Sequence, residues 1–233
     1  MKYTGILIIG ALSFAFKYVG AQGNLWQIGL RSGLSYYSHK MDPQPPEMVN
    51  TDYQMAADIA LFTQFGGLSG YFVQLELGYI GKSSKLTIPS DSNIFFTFQN
   101  HYLNFPALFG FNSRPLYLGD AQMQFFVCGG FSFTYLRKGN LKIGMDGIDF
   151  EQIQEVTDDL NRTEFGLILR TGFRFLIDER GYLLTELTFN NGFSDFSGRT
   201  FGSTGFTHRG FILSLGVGIF LNPPKDKERF YLR

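Results

Sequence analysis

Glu164 to Leu176 reads EFGLILRTGFRFL, a run as apolar as any in the chain that nevertheless carries Arg170 and Arg174 four residues apart. Taken with a period of two, the conflict disappears. Phe165, Leu167, Leu169, Phe173 and Phe175 share one parity, and Gly166, Arg170, Gly172 and Arg174 share the other. Successive side chains of a strand point to opposite faces, so this is a β-strand with two unlike faces rather than an apolar helix with misplaced charges.

The same period recurs in seven other segments of about ten residues. Trp26, Ile28, Leu30, Leu34 and Tyr36 oppose Gln27, Arg31 and Ser35; Tyr53, Met55, Ala57, Ile59, Leu61 and Phe65 oppose Gln54, Asp58 and Gln64. Tyr71, Val73, Leu75, Leu77 and Tyr79 oppose Gln74 and Glu76, and Leu103, Phe105, Ala107, Phe109 and Phe111 oppose Asn104 and Gly110. Met123 to Tyr135 follows the rule, as do Leu183, Leu187 and Phe189 against Glu186, and Phe211 to Ile219 against Ser214, Gly216 and Gly218. Contrast is weakest around 103–111 and 183–189.

Connection lengths alternate independently of this pattern. Those after the first, third, fifth and seventh segments are long, and those after the second, fourth and sixth are short, as in GGLSG (66–70) and DERG (178–181). An even number of antiparallel strands with short turns at one end and long loops at the other is the layout of an up-and-down outer-membrane barrel, its short turns periplasmic. The expectation is an all-β, eight-stranded antiparallel transmembrane β-barrel.

Charges decide which face is outside. With the register set by apolar residues alone, Arg31, Asp58, Glu76, Arg170, Arg174 and Glu186 all fall on the opposite parity, an outcome of about one in 64 by chance. Aromatic rings sit at the strand ends of the apolar face: Trp26, Tyr36, Tyr53, Phe65, Tyr71, Tyr79, Phe111, Tyr135, Phe165 and Phe175. Two belts of rings bracketing an aliphatic band match two membrane interfaces, whereas a soluble cup would have no reason to place them at both rims. Eight strands leave a lumen that side chains just fill. The six charges, three of each sign, are therefore expected to form a structural network inside, plugging the barrel.

Composition agrees. Aromatic and charged residues each make up 17% of the 233 residues, an unusual balance for a soluble enzyme. Lys2, the apolar run Ile6–Phe16 and Val19-Gly20-Ala21 have the pattern of a secretory signal peptide, cleaved after Ala21, and the run is too short to span a bilayer as a helix. Its removal leaves 18 basic against 20 acidic residues, with no basic excess to suggest a nucleic-acid partner. The chain then divides into a signal at 1–21, a barrel at 22–221 and a periplasmic tail at 222–233, with both mature termini periplasmic. Cys128, the only cysteine, has inward parity and forms no internal disulfide.

Particular phrases add to this reading. HYLNFPALFGF (101–111), EFGLILRTGFRF (164–175) and LTELTFNNGFSDF (184–196) resemble strands of the porin-like, or PorT-like, outer-membrane β-barrel family of Bacteroidota. The resemblance spans about 24–221 and implies an eight-stranded barrel in the outer membrane, in contact with its lipid and lipopolysaccharide. It also implies other envelope or secretion proteins as partners, since some members are associated with type IX secretion. Barrels of this kind usually end on an aromatic residue of the last strand. Here Phe220-Leu221 is followed by NPPKDKERFYLR, in which Phe230-Tyr231 could serve a partner.

Candidate chemistry is sparse. Lipid-modifying barrels use a Ser and His pair near the outer rim. His39, His101 and His208 fall in or beside the long loops, with Ser38 or Ser203 as a partner near one of them, and no carboxylate stands out as an orienting third member. The loop KGNLKIGMDGIDFEQIQEVTDDLNR (138–162) carries Asp146, Asp149, Glu151, Glu155, Asp158 and Asp159, without the spacing of an EF-hand. Ile153, Val156 and Leu160, at spacings of three and four, predict a short amphipathic helix across the mouth. No cofactor motif is present, and the expected role is a non-enzymatic scaffold.

Overall fold

The structure, a computed structural model, describes residues 25–42, 50–88, 94–118, 121–145, 148–178, 180–197 and 205–222. The signal at 1–21, the tail beyond Asn222, Pro43, Pro45 and Pro46 between the first two strands, Asp146 and Ser203 lie outside the described residues. Ten strands follow in chain order: β1 (Leu25–Asp42), β2 (Asn50–Gly66), β3 (Gly70–Ile88), β4 (Ile94–Asn112), β5 (Leu116–Leu118), β6 (Ala121–Met145), β7 (Ile148–Glu155), β8 (Thr163–Leu176), β9 (Gly181–Gly192) and β10 (Gly205–Phe220).

Eight of them close a ring in the order β1-β2-β3-β4-β6-β8-β9-β10, every neighbouring pair antiparallel. Closure comes from β1 against β10, from Gln27↔Phe220 to Asp42↔Gly205. In hydrocarbon every backbone polar group needs a partner within the protein, and a closed ladder supplies one to each strand without leaving an edge.

The two faces follow the sequence pattern. Trp26, Ile28, Leu30, Leu34 and Tyr36 of β1 lie outside, while Gln27, Arg31 and Ser35 are buried. On β8 Phe165, Leu169, Phe173 and Phe175 are outside and Arg170 and Arg174 inside. Rings pair along the outer surface, Trp26 on Phe65 with centroids 5.3 Å apart and Tyr71 on Phe109 at 5.6 Å.

One end of the ring has tight connections, at 67–69, 113–115 with the three-residue β5, and 177–180. Gly70, with φ 101, ends the first of them in a conformation that a residue bearing a Cβ would resist. At the other end the strands run on well past the rings, where long loops are expected from the sequence. The β3–β4 ladder continues to Ile88↔Ile94 and β4–β6 to Ile94↔Met145. With its 25 residues β6 would rise about 60 Å at a tilt of about 40°, against an apolar band about 25 Å tall. Much of what reads as loop is therefore a projecting sheet, called here the hairpin end.

The expected amphipathic helix is absent from the described part of 138–162, and a hairpin takes its place. β6 leaves β8 after Tyr135↔Thr163 and pairs instead with β7, from Asn140↔Glu155 to Met145↔Ile148. Val156 and Leu160 do bury, in the turn that follows β7, but Ile153 remains 65% exposed. The three residues thus share no face. Pairing with β6 satisfies the backbone of 148–155 directly, whereas a helix this short needs a packed apolar face to exist at all.

Candidate functional site: the filled lumen

The inward parity of eight strands delivers four basic and four acidic buried side chains among the described residues: Arg31, Lys82, Arg170 and Arg174 with Asp58, Glu76, Glu164 and Glu186. They sort into three groups along the barrel.

Five of the six residues singled out from sequence come together. Arg31 Nη1 is 2.5 Å from Asp58 Oδ2, its Nη2 3.1 Å from Glu76 Oε2 and its Nε 3.5 Å from Glu186 Oε2. Arg170 donates through Nη1 to Glu76 Oε1, through Nη2 to Glu76 Oε2 at 3.1 Å, and through Nε to Thr188 Oγ1 at 2.9 Å. Glu186 Oε1 lies 3.8 Å from Arg170 Nη1. Gln74 donates a further bond to Glu76 at 2.6 Å. Two guanidinium forks against three carboxylates from β1, β2, β3, β8 and β9 cross-link the wall from within.

Arg174 does not join them, contrary to the expected network of six. Four residues nearer the tight connections along β8, its Nη2 donates to Gln64 Oε1 at 2.5 Å, and the guanidinium lies over the rings of Phe126, Tyr182 and Phe72 at 4.8, 5.4 and 5.5 Å. The strand parity places its side chain inside but not at the depth of the carboxylates. Ring faces carry negative potential, and three of them stand where a counter-ion would. Inward glycines leave room for such rings: a Cβ on Gly110 would meet Phe72, and one on Gly29 or Gly218 would meet Phe62 or Tyr182.

The third group, at the hairpin end, joins two of the histidines noted in the sequence, His39 and His208, to Lys82 and Glu164, which the sequence reading does not single out. Lys82 Nζ is 2.9 Å from Glu164 Oε2, and His208 Nδ1 reaches the same oxygen at 2.9 Å. His39, facing His208 across the β1–β10 seam, has Ser84 Oγ 2.7 Å from its Nδ1. Lys82 also stands over the rings of Tyr102 and Tyr37 at 4.9 and 5.6 Å, and Phe196 stacks on His208 at 3.9 Å. His39 and His208, expected in or beside the long loops, are near the ends of β1 and β10 with their side chains buried inside the barrel, because the two strands stay paired as far as Asp42 and Gly205. His101 is on β4, half-buried and stacked on Tyr79. Ser38 donates to the carbonyl of His39, not to an imidazole. Among the described residues no cluster of three or more His, Cys, Asp and Glu is arranged to hold a metal ion.

The girdle residues Trp26, Tyr36, Tyr53, Tyr71, Tyr79, Phe111, Phe165 and Phe175 are exposed on the outer wall, with Phe65 and Tyr135 partly covered there. Cys128 packs inward with Phe72, Leu108, Phe126 and Ile168.

A closed eight-stranded ring, apolar and ringed by aromatics outside, polar and charge-paired inside, defines an integral β-barrel of the bacterial outer membrane. The family model described as "Outer membrane protein beta-barrel domain" matches residues 20–198, and the chain belongs to that family. Solved barrels of similar outline include OprG from Pseudomonas aeruginosa, at 11% identity and TM-score 0.42 over 86% of this chain and 98% of that one. Neisserial surface protein A matches at 8% identity and TM-score 0.40, over 82% and 96%. The outer membrane protease OmpT of Escherichia coli matches at 8% and 0.36, over 84% and 97%. No curated protein matches the sequence.

Proposed function

We propose that this protein is a non-enzymatic scaffold of the outer membrane, its lumen closed by side chains and its work done by the surfaces it presents. In this reading the hairpin end projects outside the cell, and the tight turns, both mature termini and the tail face the periplasm after signal cleavage. The observation that carries it is the five-residue bridge of Arg31, Asp58, Glu76, Arg170 and Glu186, which ties opposite walls together across the middle of the barrel. Outer-membrane lipid and lipopolysaccharide surround the wall, and other envelope proteins meet its two ends.

Catalysis is disfavoured by where the groups lie. The imidazoles of His39 and His208 are enclosed by Phe98, Phe196 and Phe206, out of reach of lipid. Recording from the purified protein in planar bilayers tests the closed lumen: traces indistinguishable from protein-free membranes are expected, and a large, stable conductance would overturn it.

A second reading, a PorT-like component of type IX secretion, draws on the strand phrases at 101–111, 164–175 and 184–196 and on the tail after Asn222. Deleting residues 223–233 would then impair secretion of the system's cargo without removing the barrel from the membrane. Unchanged secretion in that strain and in a full deletion would dispose of this reading.

A further inference from the structure

The closed ring leaves no strand edge within the membrane, but its projecting end does. Above Tyr135↔Thr163, β6 has exchanged β8 for β7, and among the described residues β7 has no strand on its other side. Its outer row of N–H and C=O groups is a template on which another chain can continue the sheet.

That edge is held in place. The chain that leaves β7 returns at once to the barrel: Val156 N donates to Gly139 O at 2.9 Å, Gly139 N to Thr157 Oγ1 at 3.0 Å, and Leu136 N to Arg162 O at 2.7 Å. Val156 and Leu160 are buried in the same cluster as Tyr37, Phe98 and Phe196. A strand fixed at its base by such contacts loses little further freedom when a partner adds to it, which favours binding.

Charge selects the partner. By sequence β7, IDFEQIQE, carries three carboxylates and no basic residue, and the turn adds the exposed Asp158, which pairs with Arg162 at 2.5 Å, and Asp159. A second copy of β7 would bring carboxylates against carboxylates, which opposes edge-to-edge pairing of two barrels. An extended segment bearing lysine or arginine meets the opposite condition.

We propose that the outer edge of β7 is a docking site for a basic, extended peptide segment of another protein, which adds beside it as a further strand of the projecting sheet. This deepens the scaffold reading, and rests on it, by naming the surface and the kind of partner.

The probe is a capped eight-residue peptide of alternating lysine and threonine, offered to the full-length mature protein in lipid nanodiscs. Two further peptides carry N-methyl groups on one or the other alternate set of backbone nitrogens. Binding of the parent peptide is expected to slow hydrogen exchange at alternate amides of 148–155. One methylated peptide should bind at least about tenfold more weakly, through loss of its main-chain bonds to the edge, and the other like the parent. E151K/E155K should abolish binding while leaving the barrel folded by heat-modifiable electrophoretic mobility. If the peptide does not bind, if both methylated forms bind like the parent, or if exchange slows elsewhere but not in β7, the docking site is wrong. Failure here with bilayers still silent removes the β7 site alone; a conducting barrel that still binds the peptide removes the closed-lumen scaffold alone.

Discussion

Arg170 on β8 and Glu76 on β3 meet across the lumen from strands three places apart in the ring, with Arg170 Nη2 3.1 Å from Glu76 Oε2. Glu76 also receives Arg31 and Gln74, so one carboxylate serves three donors from three strands.

Removing that carboxylate leaves Arg170 with only Glu186 Oε1, 3.8 Å away, and takes one of three carboxylates from Arg31. Glu76→Ala is expected to lower unfolding stability by about 3–5 kcal/mol, because a buried charge left without its partner is far more costly than the pair was beneficial. Urea titration of the protein in detergent, followed by the electrophoretic shift of the folded barrel, measures it. E76L/R170L should recover most of the loss, since removing both partners leaves Arg31 with Asp58 and Glu186.

Arg174 offers the contrasting case. Its partners are Gln64 and three ring faces, worth about 0.5–2 kcal/mol as cation–π contacts. Arg174→Met, which keeps the stem and the packing against the rings, is expected to cost less than about 2 kcal/mol, well below Arg170→Met at about 3–5. The reverse order in the same titration would mean that Arg174 has a carboxylate partner in the folded protein.

The outer wall is tested at the middle of the seam strand. Leu215 is 68% exposed to the surroundings of the barrel, next to buried Ser214. If those surroundings are hydrocarbon, Leu215→Arg costs about 2–4 kcal/mol of stability in bilayers. An effect below about 0.5 kcal/mol, the ordinary range for a water-exposed surface, would contradict a lipid-facing position.

Asp195, beyond the end of β9, gives a pH dependence at the hairpin end. Burial works against its ionisation, but bonds from Ser197 Oγ at 2.5 Å and from the backbone N–H groups of Phe206 and Ser197, both at 2.8 Å, outweigh it and hold the carboxyl below its usual range. A carboxyl whose pKa is lower folded than unfolded stabilises fully above the unfolded value. That contribution fades as pH falls through the folded one. Exchange of the Phe206 amide should therefore become less protected as the solution is acidified through the carboxylate range, and Asp195→Asn should remove the pH dependence. Equal pH profiles in the two proteins would contradict it.

Much of the wall was legible in the residues because a strand's side-chain period is an integer: once Phe165 and Leu167 face out, Arg170 and Arg174 must face in. Parity carries no information about depth, which is why Arg174 was expected among carboxylates and lies among rings. It also continues past the point where apolar contrast fades. Lys82 keeps the parity of Glu76, and Glu164 that of Arg170, yet both sit at the polar ends of their apolar runs, where a charge is ordinary on either face. His39 and His208 lie beside the long loops, and there too the parity carries the side chains inside. The β7 hairpin was illegible on other grounds, since residues spaced by three and four fit a helix equally well, and only the β6 backbone opposite decides between them.

The β1–β10 seam joins Gln27 to Phe220 and Asp42 to Gly205, the first described strand to the last. Among the described residues its contacts are the longest in sequence, so their closure entropy is met only after all other ladders are available. A nascent chain has nothing to close upon until residue 220 has been made. The ring therefore cannot close before β10 has been made. A truncation that removed β10 would leave β1 and β9 with raw edges, an invitation to pair with neighbours rather than a smaller version of the same fold.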